Sequence, residues 1–341
     1  MARNLVRGLL QVLTNRYSPL AHKQLSQESN ALTHSRQIVT VIGCGDIGRR
    51  LAQRLPQAQY QVMGIRRRPP EDSANIRYRA ADVQDSASLA AALSHHSDVV
   101  VITLTPAAYT DSGYRETYVQ GTGNLLAQLR RQARPPRLVV YVSSTSVNGQ
   151  AQGEWVNEDS ATQPASFNGQ RLLEAERLLQ DSELNAVVIR FAGIYGPGRD
   201  RLLQRVWRER GVLSGADHYT NRIHADDCGA AIAHLIEQQR LGTALQPLYL
   251  GSDSLPVRAS EVQHWLARQM DLLAEPVGEP TGDPANTPES EPGAAAGGKR
   301  CCNQRLLDSG FSLQYPDYRV GYGELLRAFL QRRAASGECG E

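Results

Sequence analysis

Glycines spaced as Gly43-Cys44-Gly45-Asp46-Ile47-Gly48 follow a β-branched apolar run, Gln37–Ile42, and open a helical pattern over 47–55. In that setting a G-x-G-x-x-G run can cradle a diphosphate. Gly43 permits a tight turn, Gly45 lets the main chain approach phosphate oxygens, and Gly48 lets helix and strand pack closely. The helix start, at Asp46 and Ile47, offers unpaired N–H groups and a partial positive charge to an anion. The chemistry this implies is dinucleotide binding.

The next informative residues close the second apolar run, 59–65. An acidic residue there would take the ribose 2′-hydroxyl of NAD. This chain has Gly64-Ile65-Arg66-Arg67-Arg68, with no carboxylate before Glu71. Guanidinium groups suit a 2′-phosphate through paired, charge-assisted hydrogen bonds. Arg66 and Arg67 therefore predict NADP, with NAD the alternative. A solvated basic turn in an Arg-rich chain is the competing reading of the same residues.

The elements that must hold these groups alternate regularly. Strands are expected at 37–42, 59–65, 75–79, 98–104, 137–143 and 185–190, with a return strand near 247–250. Helices are expected at 47–55, 86–94, 111–132 and 169–181. Continuous apolar strands alternating with amphipathic helices predict a parallel sheet covered on both faces. The expected fold class is α/β: a Rossmann-type doubly wound parallel sheet of about seven strands. A smaller, mostly helical C-terminal substrate region follows, with helices at 199–209, 226–239, 259–273 and 323–333. The expected division is a tail at 1–36, a nucleotide-binding domain at 37–190 and a substrate region at 191–335.

Composition sets outer limits. The chain has 341 residues, 41% hydrophobic and 21% charged, with a net charge of +2. It can bury a sizeable core, and nothing in it drives binding to nucleic acid or suggests a membrane span. Of 37 basic residues only Lys23 and Lys299 are lysines, so any mechanism needing a lysine within 24–298 is excluded. Five irregularly spaced cysteines without a C-x-x-C pair argue against a disulfide framework or a structural zinc. A reducing, cytoplasmic location is the default expectation. The Arg-rich, acid-poor segment 1–36 reads as a disordered tail, and its composition is also that of an organellar transit peptide. Prolines at 276, 280, 284, 288 and 292 without aromatics predict a disordered loop over 275–298.

Three further segments resemble the extended short-chain dehydrogenase/reductases, the NAD(P)-dependent epimerase/dehydratase group. They are Tyr141-Val142-Ser143-Ser144-Thr145-Ser146-Val147-Asn148-Gly149, Arg190-Phe191-Ala192-Gly193-Ile194-Tyr195-Gly196-Pro197-Gly198 and Asn221-Arg222-Ile223-His224-Ala225-Asp226-Asp227. Asp82-Val83 resembles the group's adenine-contacting pair. The resemblance further implies that Thr103, Leu104 and Ser143 lie beside the cofactor, and that dimers form through helices such as 111–132 and 169–181. It implies catalysis by a Ser or Thr, here Ser144, and by a Tyr-x-x-x-Lys dyad. At the dyad positions this chain has Phe167 and Arg171.

That departure is chemically serious, because a phenyl ring cannot exchange a proton. Arg171 retains a positive charge that could contact ribose hydroxyls. Tyr195, beyond the sixth strand, and His224, with a suitable ordinary pKa, are the candidate proton carriers beside Ser144. Two functions follow as expectations. One is an NADP-dependent oxidoreductase or epimerase-like enzyme acting on a small polar carbonyl, hydroxyl or sugar-nucleotide-like compound. The other is a non-catalytic NAD(P)-binding sensor or scaffold.

Overall fold

The computed structural model describes residues 36–211, 217–272 and 297–335. The readings made for residues 1–35 and 275–296 fall outside them.

Seven strands form one parallel sheet: β1 (Gln37–Ile42), β2 (Tyr60–Arg66), β3 (Ile76–Ala80), β4 (Val99–Ile102), β5 (Leu138–Ser144), β7 (Ala186–Phe191) and β11 (Leu248–Gly251). Their spatial order is β11-β7-β5-β4-β1-β2-β3. The chain builds outward from β1 to β3, then crosses back to lay β4 on the other side of β1. That reversal opens a crevice at the carboxyl ends of β1 and β4, the position where such sheets bind ligands.

The strand interiors are almost wholly apolar because helices cover both faces. One apolar layer joins Val39, Val41 and Val101 of the sheet to α1 (Asp46–Arg54) and α7 (Ala225–Arg240). The opposite layer joins Ile42, Val100 and Tyr141 to α2 (Ser86–Ala92), α4 (Gly121–Arg130) and α5 (Phe167–Gln180). The helix expected over 111–132 is three pieces: α3 (Asp111–Tyr114), a π-helical stretch (Arg115–Gln120) and α4. The wider π turn brings Thr117 to the crevice while Tyr118 stays buried and donates its hydroxyl to the Leu104 carbonyl at 3.2 Å.

The C-terminal region holds α6 (Arg201–Arg208), α7, α8 (Ala259–Gln269), α9 (Gln304–Asp308) and α10 (Tyr318–Ala335). A second, four-stranded sheet that the sequence pattern does not reveal combines β9 (His218–Thr220), β12 (Val257–Arg258) and β13 (Gly297–Cys301) of this region with β6 (Gln152–Val156), which follows β5. Strands of two to five residues are too short to display an alternation, and their partners are distant in sequence. β13 begins at Gly297, two residues inside the segment read as a disordered loop. A short parallel pair, β8 (Gly193–Tyr195) with β10 (Arg222–His224), joins the main sheet's exit to α7. No described helix is long and apolar enough to cross a membrane.

Candidate cofactor and active site

The turn after β1 is pinned from both sides. The Gly43 and Cys44 amides both donate to the Ile65 carbonyl, at 2.8 and 3.1 Å, and the Gly45 amide donates to the Gly43 carbonyl at 2.7 Å. Gly43 has φ +77°, and a Cβ there would stand 2.8 Å from the Thr103 carbonyl oxygen. Thr103 itself faces this turn, its hydroxyl donating to the Gly43 carbonyl at 3.0 Å, so it props the cradle rather than lining it. At Gly48 a Cβ would come within 2.9 Å of both Val41 Cγ1 and Cys44 Sγ, which is how closely α1 lies on the strand. Gly45 differs: its Cβ would meet nothing nearer than the Gly43 carbonyl at 3.7 Å.

α1 starts without a side-chain cap. Its first intrahelical bond runs from the Arg49 amide to the Gly45 carbonyl, and the amides of Asp46, Ile47 and Gly48 have no backbone partner among the described residues. The Ile47 side chain packs into the core, so only its main chain faces outward. The Asp46 carboxylate accepts from Arg50 at 3.0 Å and Arg199 at 2.6 Å, which offsets its charge at the helix start.

A cleft of about 500 Å³ extends from Gly43 and Gly45. Arg66, Arg67 and Arg68 close one end, Asp82, Val83 and Gln84 form a wall, and Leu104, Thr105 and Thr117 lie opposite. None of the three arginines is ion-paired among the described residues, and Arg66 rests 3.5 Å from the Cys44 carbonyl. The Asp82 carboxylate accepts from the Gln84 amide at 3.0 Å, which fixes the wall's turn. Arg68, Gln84, Thr105 and Thr117 were not singled out by sequence reasoning. Arg68 continues the basic run; the others carry no signal beyond their position after a strand or within a helix. A dinucleotide fits this chemistry: an open side at Gly45, amides without a backbone partner at a helix start, and guanidinium groups with no carboxylate partner among the described residues at the far end.

The positions expected to do catalysis are more scattered. Ser144 ends β5 at the sheet's carboxyl edge, and its Oγ accepts from the Ser146 amide at 3.1 Å. That bond fills an acceptor site and leaves the hydroxyl proton free to donate. Ser143 points the other way. Its hydroxyl donates to Glu176 Oε1 at 2.6 Å, and Glu176 in turn receives Arg190 at 3.0 and 2.6 Å, all buried. Ser143 is therefore part of a core network rather than a cofactor contact, because strand alternation sends neighbours to opposite faces.

Arg171 is fully engaged. Its Nε and Nη2 hold both oxygens of Asp111 at 2.8 and 3.0 Å, and its Nη1 holds Glu174 at 2.9 Å. Asp111's carboxyl sits below its ordinary range because of that hydrogen-bonded guanidinium. The expectation that Arg171 contacts ribose hydroxyls differs from this arrangement.

Tyr195 and His224 do lie together, with ring centroids 5.2 Å apart, but both are inside the protein. Tyr195 stacks on Tyr322 at 4.6 Å, and its buried hydroxyl has no hydrogen-bond partner. Burial raises its pKa far above the usual phenol range. His224 caps α7: its Nδ1 accepts from the Asp226 amide at 3.2 Å, and its ring lies over Tyr315 at 3.8 Å. Burial lowers its pKa, keeping it neutral. Neither presents an exchangeable proton to the cleft, so the pair is a packing unit between β8, β10 and the C-terminal helix. Asp227 likewise serves structure, accepting the amides of Gln314 and Tyr315 at 2.8 and 3.0 Å.

A model of the NAD dependent epimerase/dehydratase family matches residues 39–247. The chain belongs to that family. A Methylobacillus flagellatus protein assigned to the NAD-dependent epimerases/dehydratases is 36% identical, with 86% of this chain and 99% of that one covered and a TM-score of 0.71. The Thermotoga maritima UDP-glucose 4-epimerase, solved with UDP-glucose, is similar in fold at 16% identity, 87% and 99% coverage and a TM-score of 0.66. The Bacillus cereus UDP-glucuronic acid 4-epimerase, solved with NAD, is similar at 16% identity, 82% and 94% coverage and a TM-score of 0.63. Among proteins of curated function, none matches this sequence.

Within this epimerase/dehydratase chain the Tyr195 geometry yields a prediction. A buried hydroxyl without a partner costs about 1–3 kcal/mol. Tyr195→Phe is expected to raise the denaturation midpoint. A Cβ at Gly321 would lie 2.0 Å from the same hydroxyl oxygen and 2.6 and 2.7 Å from ring carbons Cζ and Cε2, so Gly321→Ala is expected to destabilise both the parent and the Tyr195→Phe chain. A Tyr195→Phe chain less stable than the parent would contradict this assignment.

One further residue approaches the turn after β5 from afar. Lys299, on β13, donates to the Asn148 carbonyl at 2.8 Å, beside the short 3₁₀ turn at Thr145–Val147, and burial lowers its pKa. Nearby Cys301 is buried, and burial pushes its thiol up to about 11.

Proposed function

We propose that this chain binds NADP and catalyses hydride transfer on a small polar carbonyl or hydroxyl compound, or on a sugar-nucleotide-like one. The observation that carries the reading is the cleft, with a phosphate cradle at Gly43–Gly48 and unpaired arginines at the other end. The amides of Asp46, Ile47 and Gly48 would hold the diphosphate. Arg66 and Arg67 would hold the 2′-phosphate, and Asp82 and Val83 would flank the adenine. When bound, the cofactor supplies or accepts the hydride. Ser144, whose proton is free, donates a hydrogen bond to the substrate oxygen and orients it at the sheet edge. Support from similar proteins is general: those solved with NAD share the fold.

Charge-assisted hydrogen bonds contribute about 1.5–3 kcal/mol each. Arg66→Ala with Arg67→Ala is therefore expected to weaken NADPH binding by about 10-fold to 100-fold or more and to leave NADH binding unchanged. Tighter NADH binding, insensitive to both changes, would overturn the NADP assignment. Phe167 and the occupied Arg171 favour a second reading, a non-catalytic NAD(P)-binding sensor. It is distinguished by a chain that binds NADPH yet oxidises it with no member of a panel of carbonyl and sugar-nucleotide compounds.

A further inference from the structure

The family's dyad needs a phenol at position 167, and this chain has none there. The segment that follows β4 covers both dyad positions at once. Tyr109 lies against the Phe167 ring at 5.2 Å between centroids and against Tyr114 at 5.4 Å, both edge-on. Two residues further on, Asp111 grips Arg171, one turn along α5 from Phe167. A phenol thus stands over the phenyl ring, and a carboxylate clamps the guanidinium.

Chain order puts this segment at the carboxyl end of β4, the strand beside β5 that Ser144 ends. The cleft's basic end lies over β2 and β3, and its cradle lies at β1. A dinucleotide crossing the switch point must put its other half over the ends of β4 and β5, where Leu104 and Thr105 already line the cleft. Ser144 ends β5, and the loop carrying Tyr109 leaves β4. That loop is held in place: the Gly113 amide donates to Thr110 Oγ1 at 3.1 Å, and a Cβ at Gly113 would meet the Ala108 carbonyl at 2.7 Å. Tyr109 is nonetheless 69% exposed, so water can return a proton to it. Tyr114 also touches Phe167, at 5.5 Å, but packs on Tyr118 at 5.2 Å, and burial raises its pKa.

We propose that Tyr109 is the proton donor that replaces the missing dyad tyrosine, an inference that rests on the NADP-dependent reading above. In carbonyl reduction the electron pair and one hydrogen come from NADPH as hydride to the carbonyl carbon. The Tyr109 O–H bond breaks, its proton bonds to the substrate oxygen, and the phenolate is reprotonated from solvent. The product alcohol and NADP⁺ complete the balance.

The test reads tyrosine ionisation by ultraviolet absorbance in the full-length chain, with saturation checked by calorimetry. The titratable and charged groups around this segment include Tyr114, Asp111, Arg115, Arg171 and Glu174, which pairs with Arg171. An adjacent positive ring favours phenolate, so NADP⁺ is expected to lower the pKa of one tyrosine by about 1 unit or more, and NADPH, with its neutral ring, is not. The shift is expected to persist in Tyr114→Phe and to vanish in Tyr109→Phe. In the carbonyl panel, Tyr109→Phe is expected to slow NADPH oxidation about 100-fold at unchanged cofactor affinity. A bound NADP⁺ that shifts no tyrosine, a shift that survives Tyr109→Phe, or parental turnover in that variant overturns the proposal alone. Absence of any NADP⁺ binding, or of turnover by the parent, overturns the underlying reading and this one with it.

Discussion

A Gly45→Val chain is expected to remain folded, at some loss of stability, and to lose NADP⁺ affinity by about 100-fold, the equivalent of one or two charge-assisted amide–phosphate bonds. The reasoning turns on what each glycine of the cradle faces. At Gly45 an added Cβ meets only the Gly43 carbonyl, at 3.7 Å, so the space is open, although ψ of −139° at φ −99° makes a side chain there cost some backbone strain. The space it would fill is the side of the turn facing the cleft, where a diphosphate must approach the amides of Asp46 and Ile47. Gly43→Ala is the contrasting change. It places a Cβ 2.8 Å from the Thr103 carbonyl at a positive φ, so it is expected to damage the fold as well as binding. Calorimetry with thermal denaturation on the same samples separates the two. Equal affinity in Gly45→Val and parent would contradict the cradle.

The second large effect is in the core. Glu176 and Arg190 are 1% and 4% exposed and joined by two hydrogen bonds, with Ser143 donating to the same carboxylate. Glu176→Ala leaves the guanidinium buried without its counter-charge, which costs about 3–5 kcal/mol. Against a typical total of about 5–15 kcal/mol, that is a large share of stability. Ser143→Ala removes one hydrogen bond while the ion pair survives, and is expected to cost about 1 kcal/mol. Replacing Glu176 and Arg190 together by Leu and Met is expected to recover much of the loss, because the desolvation of both charges is relieved at once. Urea denaturation of the set decides it. A Glu176→Ala chain no weaker than Ser143→Ala would show that the pair is not the tie between α5, β5 and β7.

What the sequence discloses here follows from range. The main sheet and its helices were legible because each is a local pattern: β-branched runs such as Leu138–Ser144, amphipathic stretches such as Ala225–Arg240. The glycine turn after β1 was legible because its three glycines act within one turn. The basic run was legible as composition, and its open end in the cleft follows from the strand it terminates. The catalytic positions were read less well, since partners chosen across the chain leave no local mark. Asp111 and Arg171 are 60 residues apart, and Lys299 meets Asn148 from 151 residues away. Tyr195 and His224 carry suitable chemistry in sequence, yet α10 and the segment around Tyr315 bury them. Tyr109 has no motif, and only its ring contact with Phe167 draws attention to it.

The most direct test of the central claim is a crystal structure of the full chain grown with saturating NADP⁺. The account predicts diphosphate oxygens within hydrogen-bond reach of the Asp46 and Ile47 amides, and the 2′-phosphate against Arg66 and Arg67. An empty turn at Gly43–Gly48 under saturation, or a diphosphate bound elsewhere, would contradict it.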